Sequence, residues 1–502
     1  MSPALLDQVS AKPARSGPET AFRRALIALS VVAGVGLLCH FSVMLWARSE
    51  FAQPESIVAL QSMMLARDGT LYYDLKHFPY TVCAYMPVFY FLEAALIKLG
   101  LAAFTAGRLL SFSALVGIFV MGWRMAMLYT GNRYCAWVTT LLCASTSVLL
   151  SWGTVAQVDT LAVFFAVSAF YYYSRYAIRG DETIVLAAVF VLAGLFTKQT
   201  MLASPAAICL ALLMERPKVG IRFIAAVGSV ALGAVLAINA AMHGRFLDNV
   251  LFANMNPFAL EKLNQHVPYL LIGAGQLILI VIVSARSAWR SPAKALLLYL
   301  GFTFALLAAT AAKVGSDSNY QIEPTLVLIL CATIGLHSIN FFELVVRGSR
   351  TWIPLLQLCL GIHLLLNFRM TVPFLAWRFA QEKMFREQLV ALQPIWPAGG
   401  RVLSADVNAL VHLEGRIEVE PLIYKLLVRA GRIDPEPLRR AIEQHSFSRI
   451  VLYQDLSQPG DVDLEVPSLP DSQMNEIRKH YRLVAHLPGP HLAGIYLYEP
   501  AG

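Results

Sequence analysis

The sequence predicts a polytopic α-helical membrane protein of about eleven transmembrane helices, closed at its C-terminus by a small extracytoplasmic α/β domain. Three observations predict it. The 502-residue chain is 57% hydrophobic and only 14% charged, where a soluble domain carries roughly 25% charge. So little charge suits a chain whose solvent is the bilayer. Apolar runs long enough to cross hydrocarbon recur between residues 25 and 368, and the loops between them alternate between basic and less basic. After residue 375 the composition shifts, and short helical and strand-like patterns alternate to the end.

Residues 1–24 are too long a polar lead for a secretion signal. Lys12, Arg15, Arg23 and Arg24 read as a cytoplasmic tail before a signal-anchor helix. The membrane module follows at 25–375, with spans expected at 25–47, 103–127, 134–152, 157–174, 183–197, 200–214, 223–242, 267–285, 293–311, 325–346 and 352–368. With the N-terminus inside, the inner loops hold Arg124 and Arg133; Arg175 and Arg179; Arg216, Lys218 and Arg222; Arg286, Arg290 and Lys294; Arg347 and Arg350. Each carries at least two basic residues, as the positive-inside rule requires. The net charge of +8 is therefore read as membrane orientation, and no nucleic-acid partner is expected. Eleven spans place the C-terminus outside.

Two segments depart from this pattern. Residues 183–214 form one long apolar run interrupted by Thr197-Lys198-Gln199-Thr200. This reads as two short helices meeting at the outer face, because irregular backbone at membrane depth is tolerated where it lines a cavity. The first outside loop, 48–102, is the other. Its 54–67 segment has Ile57, Val58, Leu60, Met63, Met64 and Leu65 at helical spacing, and 87–99 opens on a proline and is too short to span. Both suit helices lying in the interface.

The C-terminal domain, 376–502, shows strand patterns at 449–453 and 494–498 and a capped helix at 436–443. Its acids Asp406 and Glu420 read as ordinary surface charges. Of seven cysteines, six fall in apolar runs, which is no disulfide framework and no metal-ligand spacing.

An ionisable side chain inside a span costs roughly 2.5–3.5 kcal/mol, so each such residue calls for a reason. Parity places the notable ones on the outer side: Glu55 at the head of the first interfacial helix, Asp159 at the outer end of the fourth span, Lys198 at the apex between the short helices, and Lys313, Asp317, Asn319, Tyr320 and Glu323 in KVGSDSNYQIEP. Gln199, beside Lys198, and Tyr85, heading YMPVFYFL, join the substrate-binding set. A pocket built from these segments suits glycosyl transfer from a polyprenyl phosphate. Lys198 is the natural ligand of the donor phosphate. One carboxylate takes the proton of the attacking hydroxyl, and a second binds a divalent metal or steadies the charge on the sugar ring. Glu55 and Asp159 are the pair of acids. Glu55 is favoured as base, since its interfacial helix faces the cavity mouth and the helix N-terminus favours its ionised form; Asp159 then serves donor or metal. The plainer alternatives are helix-capping acids and a lysine reaching for the headgroups. Arg108 and Lys76 read as interfacial anchors.

The first loop (PESIVALQSMMLARDGTLYYDL, YMPVFYFL, AGRLLS), AQVDTLAVFF, GLFTKQTMLASP, KVGSDSNYQIEP and the tail VLSADVNALVHLEG together resemble GT-C-fold membrane glycosyltransferases. The resemblance is to the bacterial protein-mannosyltransferase and aminoarabinose-transferase-like group, glycosyltransferase family 39-like. It covers nearly the whole chain. It implies a polyprenyl-phosphate-linked hexose or pentose as donor, an inverting transfer to a glycolipid, polysaccharide or protein, and a place in the bacterial inner membrane. The family often has Asp-Glu or an aspartate where this chain has Gln53-Pro54-Glu55, which leaves metal dependence open. The competing class is a secondary transporter or lipid-linked-sugar flippase. It would favour midplane charges and an inverted repeat, neither of which is legible here.

Overall fold

The computed structural model describes residues 17–254, 258–313, 315–341, 353–457, 467–490 and 494–501. Lys12, Arg15, Arg347 and Arg350, named above in the basic segments, lie outside them. The membrane part comprises α1 (Gly17–Trp46), α2 (Gln53–Asp68), α3 (Val88–Lys98), α4 (Ala103–Thr130), α5 (Arg133–Ser145), α6 (Ser147–Gly153), α7 (Val158–Arg179), α8 (Ile184–Leu195), α9 (Ala203–Glu215), α10 (Pro217–Ala241), the single turn α11 (Arg245–Leu247), α12 (Leu263–Trp289), α13 (Lys294–Ala311), α14 (Ile322–Ser338) and α15 (Ile353–Leu392). Within the described residues each expected span coincides with a helix or a broken helix; positions 342–346 of the span expected at 325–346, and 352 of the next, lie outside them. By length and composition alone, seven helices among the described residues are apolar enough to cross a membrane, or eight if α5 and α6 form one span. The expected eleven is therefore not matched on that measure: α8 and α9 are short, and α7 falls outside the set.

The centre of the bundle is α14, which packs against α4, α5, α12 and α13. Every residue from Ile322 to Leu336 is buried, the pattern of a helix apolar on all sides and surrounded by others. Between α5 and α6 the chain bends by 61° at Thr146. The groups freed at the bend find partners on α15: Asn367 Oδ1 accepts from Ser147 N at 2.8 Å and from its hydroxyl at 3.0 Å, and His363 pairs with Thr146 Oγ1 at 3.1 Å. The last helix runs past its expected end at 368 to Leu392. Forty residues at 1.5 Å each span about 60 Å, twice the hydrocarbon thickness, so α15 carries the chain out of the membrane and into the C-terminal domain.

That domain holds β1 (Arg401–Ser404), α16 (Val407–Leu413), α17 (Pro421–Arg429), α18 (Glu436–Glu443), β2 (Phe447–Leu452), α19 (Asp471–His480), β3 (Tyr481–Leu487) and β4 (Ile495–Pro500). Its sheet runs β1-β2-β4-β3, with β1 parallel to β2 and the other pairs antiparallel. The domain is seated on the first loop. Ala59, Leu60 and Met64 of α2 pack against Val407, Leu410 and Val411 of α16, and a parallel bridge pairs Tyr80 with Val419. The first loop and the C-terminal domain thus share one side of the protein. α2 and α3 form where the two interfacial helices are expected, and α3, at eleven residues, is too short to cross.

Asp406 and Glu420 are not surface charges. Asp406 is 2% exposed, accepts from Ala409 N at 3.0 Å as the cap of α16, and takes Gln388 Nε2 at 2.5 Å from α15. Glu420 is 3% exposed, and its backbone N–H donates to Tyr80 O of the first loop at 2.9 Å.

Candidate active site

The predicted residues separate into two centres. The first surrounds Glu55. Pro54 opens α2, and Glu55 follows in its first turn with no solvent exposure. Oε1 accepts from Arg108 Nε at 2.8 Å and Ala156 N at 2.9 Å; Oε2 accepts from Arg108 Nη2 at 2.9 Å and Phe51 N at 2.6 Å. Arg108, equally buried, also donates to the carbonyls of Met44, Ala47 and Ser49. Close packing here rests on Gly107: a Cβ there would stand 2.4 Å from the Ala156 Cβ. Burial pushes the Glu55 carboxyl up, but the Arg108 charge and the four donated hydrogen bonds outweigh it and hold the group below the usual carboxylate range. The Glu55–Arg108 pair therefore ties α1, α2, α4 and the segment before α7 together. The carboxylate does not face a cavity mouth, as expected from the sequence, because Arg108 is its buried counter-ion and not an interfacial anchor.

The second centre lies around Lys198, in the break between α8 and α9. Its ammonium donates to Asp159 Oδ1 at 2.6 Å and sits 4.3 Å from the Tyr320 ring centroid and 5.8 Å from that of Tyr85. Asn319 Nδ2 reaches the same Asp159 oxygen at 3.1 Å. Three expected segments thus converge: the start of α7, the α8–α9 break and the turn before α14. Glu323, one turn on, accepts from Tyr299 OH at 2.7 Å and borders the small cavity of about 30 Å³ that Asp159, Lys198 and Tyr320 share. Asp317 is placed apart. It caps the 318–321 turn through Ser318 N at 2.5 Å and lines a neighbouring cavity of about 420 Å³ with His266 and Lys262.

Above this pair opens a cavity of about 150 Å³ with Lys198, Gln199, Tyr85, Lys313 and Tyr320 on its wall. Sequence reasoning missed part of that wall: Gln53, Ile57 and Gln61 of α2, Thr200, and Glu420 of the C-terminal domain. The spacing 53, 57, 61 is one helical face, so two glutamines on an otherwise apolar stripe were a legible signal. Among the described residues, Gln53 Nε2, Gln61 Oε1, Gln199 Oε1, Thr200 Oγ1 and Glu420 Oε2 are buried atoms with no hydrogen-bond partner, and so are Asp159 Oδ2 and Asn319 Oδ1 beneath them. Buried polar groups are nearly always paired; seven unpaired ones around two adjoining cavities mark a place made for a polar ligand.

Glu55 does not suit a divalent metal, since all four of its hydrogen-bond donors are protein groups, and the ammonium of Lys198 occupies Asp159 Oδ1. The described His, Cys, Asp and Glu side chains grouped closely enough for a metal are Glu443, Glu476 and His480, far along the chain on α18 and α19, where Arg439 and Lys479 already pair with the two glutamates.

This helical architecture, with its extramembrane sheet domain seated on the first loop, is the GT-C fold of a multi-pass membrane protein. It is similar to ArnT from Cupriavidus metallidurans bound to undecaprenyl phosphate, with a TM-score of 0.61 and 11% identity over 94% of this chain and 97% of that one. The apo state of the same ArnT matches at 0.61 and 12% identity, over 96% and 98%. At that identity the likeness is one of fold. No protein-family model and no curated protein matches the sequence.

Proposed function

We propose that this protein is a membrane glycosyltransferase that takes a hexose or pentose from a polyprenyl-phosphate donor and transfers it, with inversion, to an extracytoplasmic glycolipid, polysaccharide or protein. The carrying observation is Lys198: a buried cation on the floor of a cavity whose walls hold unpaired polar atoms. The ammonium suits the donor phosphate, and the unpaired amide, hydroxyl and carboxyl groups suit sugar hydroxyls. The ArnT of similar fold is itself bound to undecaprenyl phosphate. The site lies on the side of the first loop and the C-terminal domain, which we take to be the outer face of a bacterial inner membrane, as the basic inner loops of the sequence suggest.

In the reaction, the acceptor oxygen attacks the anomeric carbon, the bond from that carbon to the phosphate oxygen breaks, and polyprenyl phosphate leaves with the electron pair. Lys198 steadies the charge growing on the leaving phosphate, where a preset charge in a dry site acts most strongly. Of the two acids, Asp159 retains an unpaired oxygen, Oδ2, and we assign it the acceptor proton. Glu55, saturated by donors, holds the scaffold. This reverses the preference drawn from the sequence.

The test is binding of undecaprenyl phosphate to the purified full-length protein. Lys198→Ala should weaken it at least tenfold, and Lys198→Arg less. Equal affinity of wild type and Lys198→Ala would remove the lysine from the donor site.

A further inference from the structure

Among the described residues, Glu420 is the one carboxyl on the wall of the donor cavity, and the C-terminal domain supplies it. It precedes Pro421 at the start of α17, whose Leu422, Ile423 and Leu426 form the same wall. Its place is fixed by the backbone: Glu420 N donates to Tyr80 O at 2.9 Å, and Tyr80 N donates to Glu418 O at 2.9 Å. The side chain is 3% exposed and Oε2 has no partner among the described residues. An unpaired polar atom in such surroundings costs about 1–3 kcal/mol. The fold maintains it although an apolar side chain would suit the apolar face of α17 better.

The opposite wall presents matching chemistry. Gln61 gives its amide hydrogens to Thr81 Oγ1 and Val82 O, and Gln199 gives its own to Ala84 O and Val250 O. Each carbonyl oxygen is left unpaired. Burial pushes the Glu420 carboxyl up to about 8, against a backbone hydrogen bond from Val82 that lowers it. At neutral pH it therefore carries its proton and offers one O–H donor and one acceptor. Acceptors on one wall and a donor–acceptor on the other suit the hydroxyls of a sugar, beside the Lys198 ammonium that suits its phosphate.

We propose that the C-terminal domain completes the sugar-binding site through Glu420, whose carboxyl hydrogen-bonds the hydroxyls of the donor sugar. This rests on the donor reading above. It makes the domain part of the specificity pocket, so that donor choice changes with the residue at position 420 while affinity for the carrier lipid does not.

The experiment compares undecaprenyl phosphate with its mannosyl, glucosyl and arabinosyl forms as ligands of the full-length protein. Glu420→Ala should bind undecaprenyl phosphate within twofold of wild type and bind the preferred glycosyl lipid about five- to tenfold more weakly, the worth of one or two neutral hydrogen bonds. Glu420→Gln, which keeps a donor and an acceptor, should recover most of the loss. Unchanged affinity for every glycosyl lipid, or equal weakening of sugar-bearing and sugar-free lipids, overturns the proposal. Wild-type protein that binds none of the lipids overturns the donor reading itself. Carbodiimide labelling of Glu420 in the wild type, read by mass spectrometry, needs no variant. Protection by the preferred glycosyl lipid beyond that given by undecaprenyl phosphate supports the contact, and identical labelling refutes it.

Discussion

Replacing Arg108 by methionine tests whether Glu55 is scaffold or chemistry. The change keeps much of the aliphatic stem and removes the guanidinium that supplies two of the four hydrogen bonds to Glu55. It leaves a fully buried carboxylate with only the Phe51 and Ala156 amides. Breaking a buried ion pair from one side costs about 3–5 kcal/mol. The carbonyls of Met44, Ala47 and Ser49 lose a donor as well, which places the effect toward the upper end. At about 2 °C per kcal/mol for a large chain, the melting temperature of the purified protein should fall by roughly 8–10 °C. The double variant Glu55→Gln with Arg108→Met removes both charges and should regain most of that loss, since a neutral buried pair carries no uncompensated charge. The assay is thermal unfolding in one detergent, followed by intrinsic fluorescence, with undecaprenyl phosphate binding as a second readout. An unchanged melting temperature in Arg108→Met, or a double variant no more stable than the single one, would refute the structural role of the pair. Intact stability in Glu55→Gln with turnover lost a hundredfold would return Glu55 to the chemistry.

Three further outcomes follow from other parts of the structure. Asp159→Asn should lower turnover about 10²–10⁴-fold, the usual worth of a general base, whereas Glu55→Gln should act mainly on stability; the reverse ranking in steady-state transfer would undo the assignment. Glu93, on α3, has one hydrogen bond, from Ser62 Oγ at 2.6 Å, and an unpaired Oε1; burial, helped by the nearby Glu55 charge, pushes its carboxyl up from 4.5 to about 8. Its folded value lies above the unfolded one, so its contribution to stability is complete below pH 4.5 and is lost as the pH rises through 8. Glu93→Gln should accordingly leave the melting temperature unchanged near pH 4.5 and raise it progressively toward pH 8, and a gain independent of pH would contradict this. A C-terminal alkaline-phosphatase fusion should be active; an inactive one, with an active cytoplasmic reporter at the same position, would invert the topology.

The helical positions were legible because apolar length is a local property of the chain, and the polar residues of the second centre were legible because membrane depth makes each of them costly. Asp159, Lys198, Asn319 and Tyr320 stand out against apolar neighbours, and they do meet. What the sequence hid was decided by distant partners. Composition across 133–153 shows no interruption, and the bend at Thr146 is satisfied by Asn367, more than two hundred residues on. Glu55 looks the same whether it faces a cavity or an arginine, and only the packing of α4 against α2 decides between them. Glu420 lies among polar residues of the C-terminal domain, where acids are ordinary; it is buried beside the pairing of Val419 with Tyr80, which no local pattern announces. The long reach of α15 was hidden for a simpler reason: Arg369 and Arg378 interrupt the apolar run, and a span count stops where charges begin.

The most direct test of the central claim is lipid and glycan analysis of a strain lacking the gene, complemented with wild type or with Asp159→Asn. Deletion should remove one surface glycoconjugate and cause one polyprenyl-phosphate-linked sugar to accumulate. Wild type should reverse both changes, and Asp159→Asn, present in the membrane at equal level, should reverse neither. An unaltered set of glycoconjugates with no accumulated lipid-linked sugar would contradict the assignment of this protein as a glycosyltransferase.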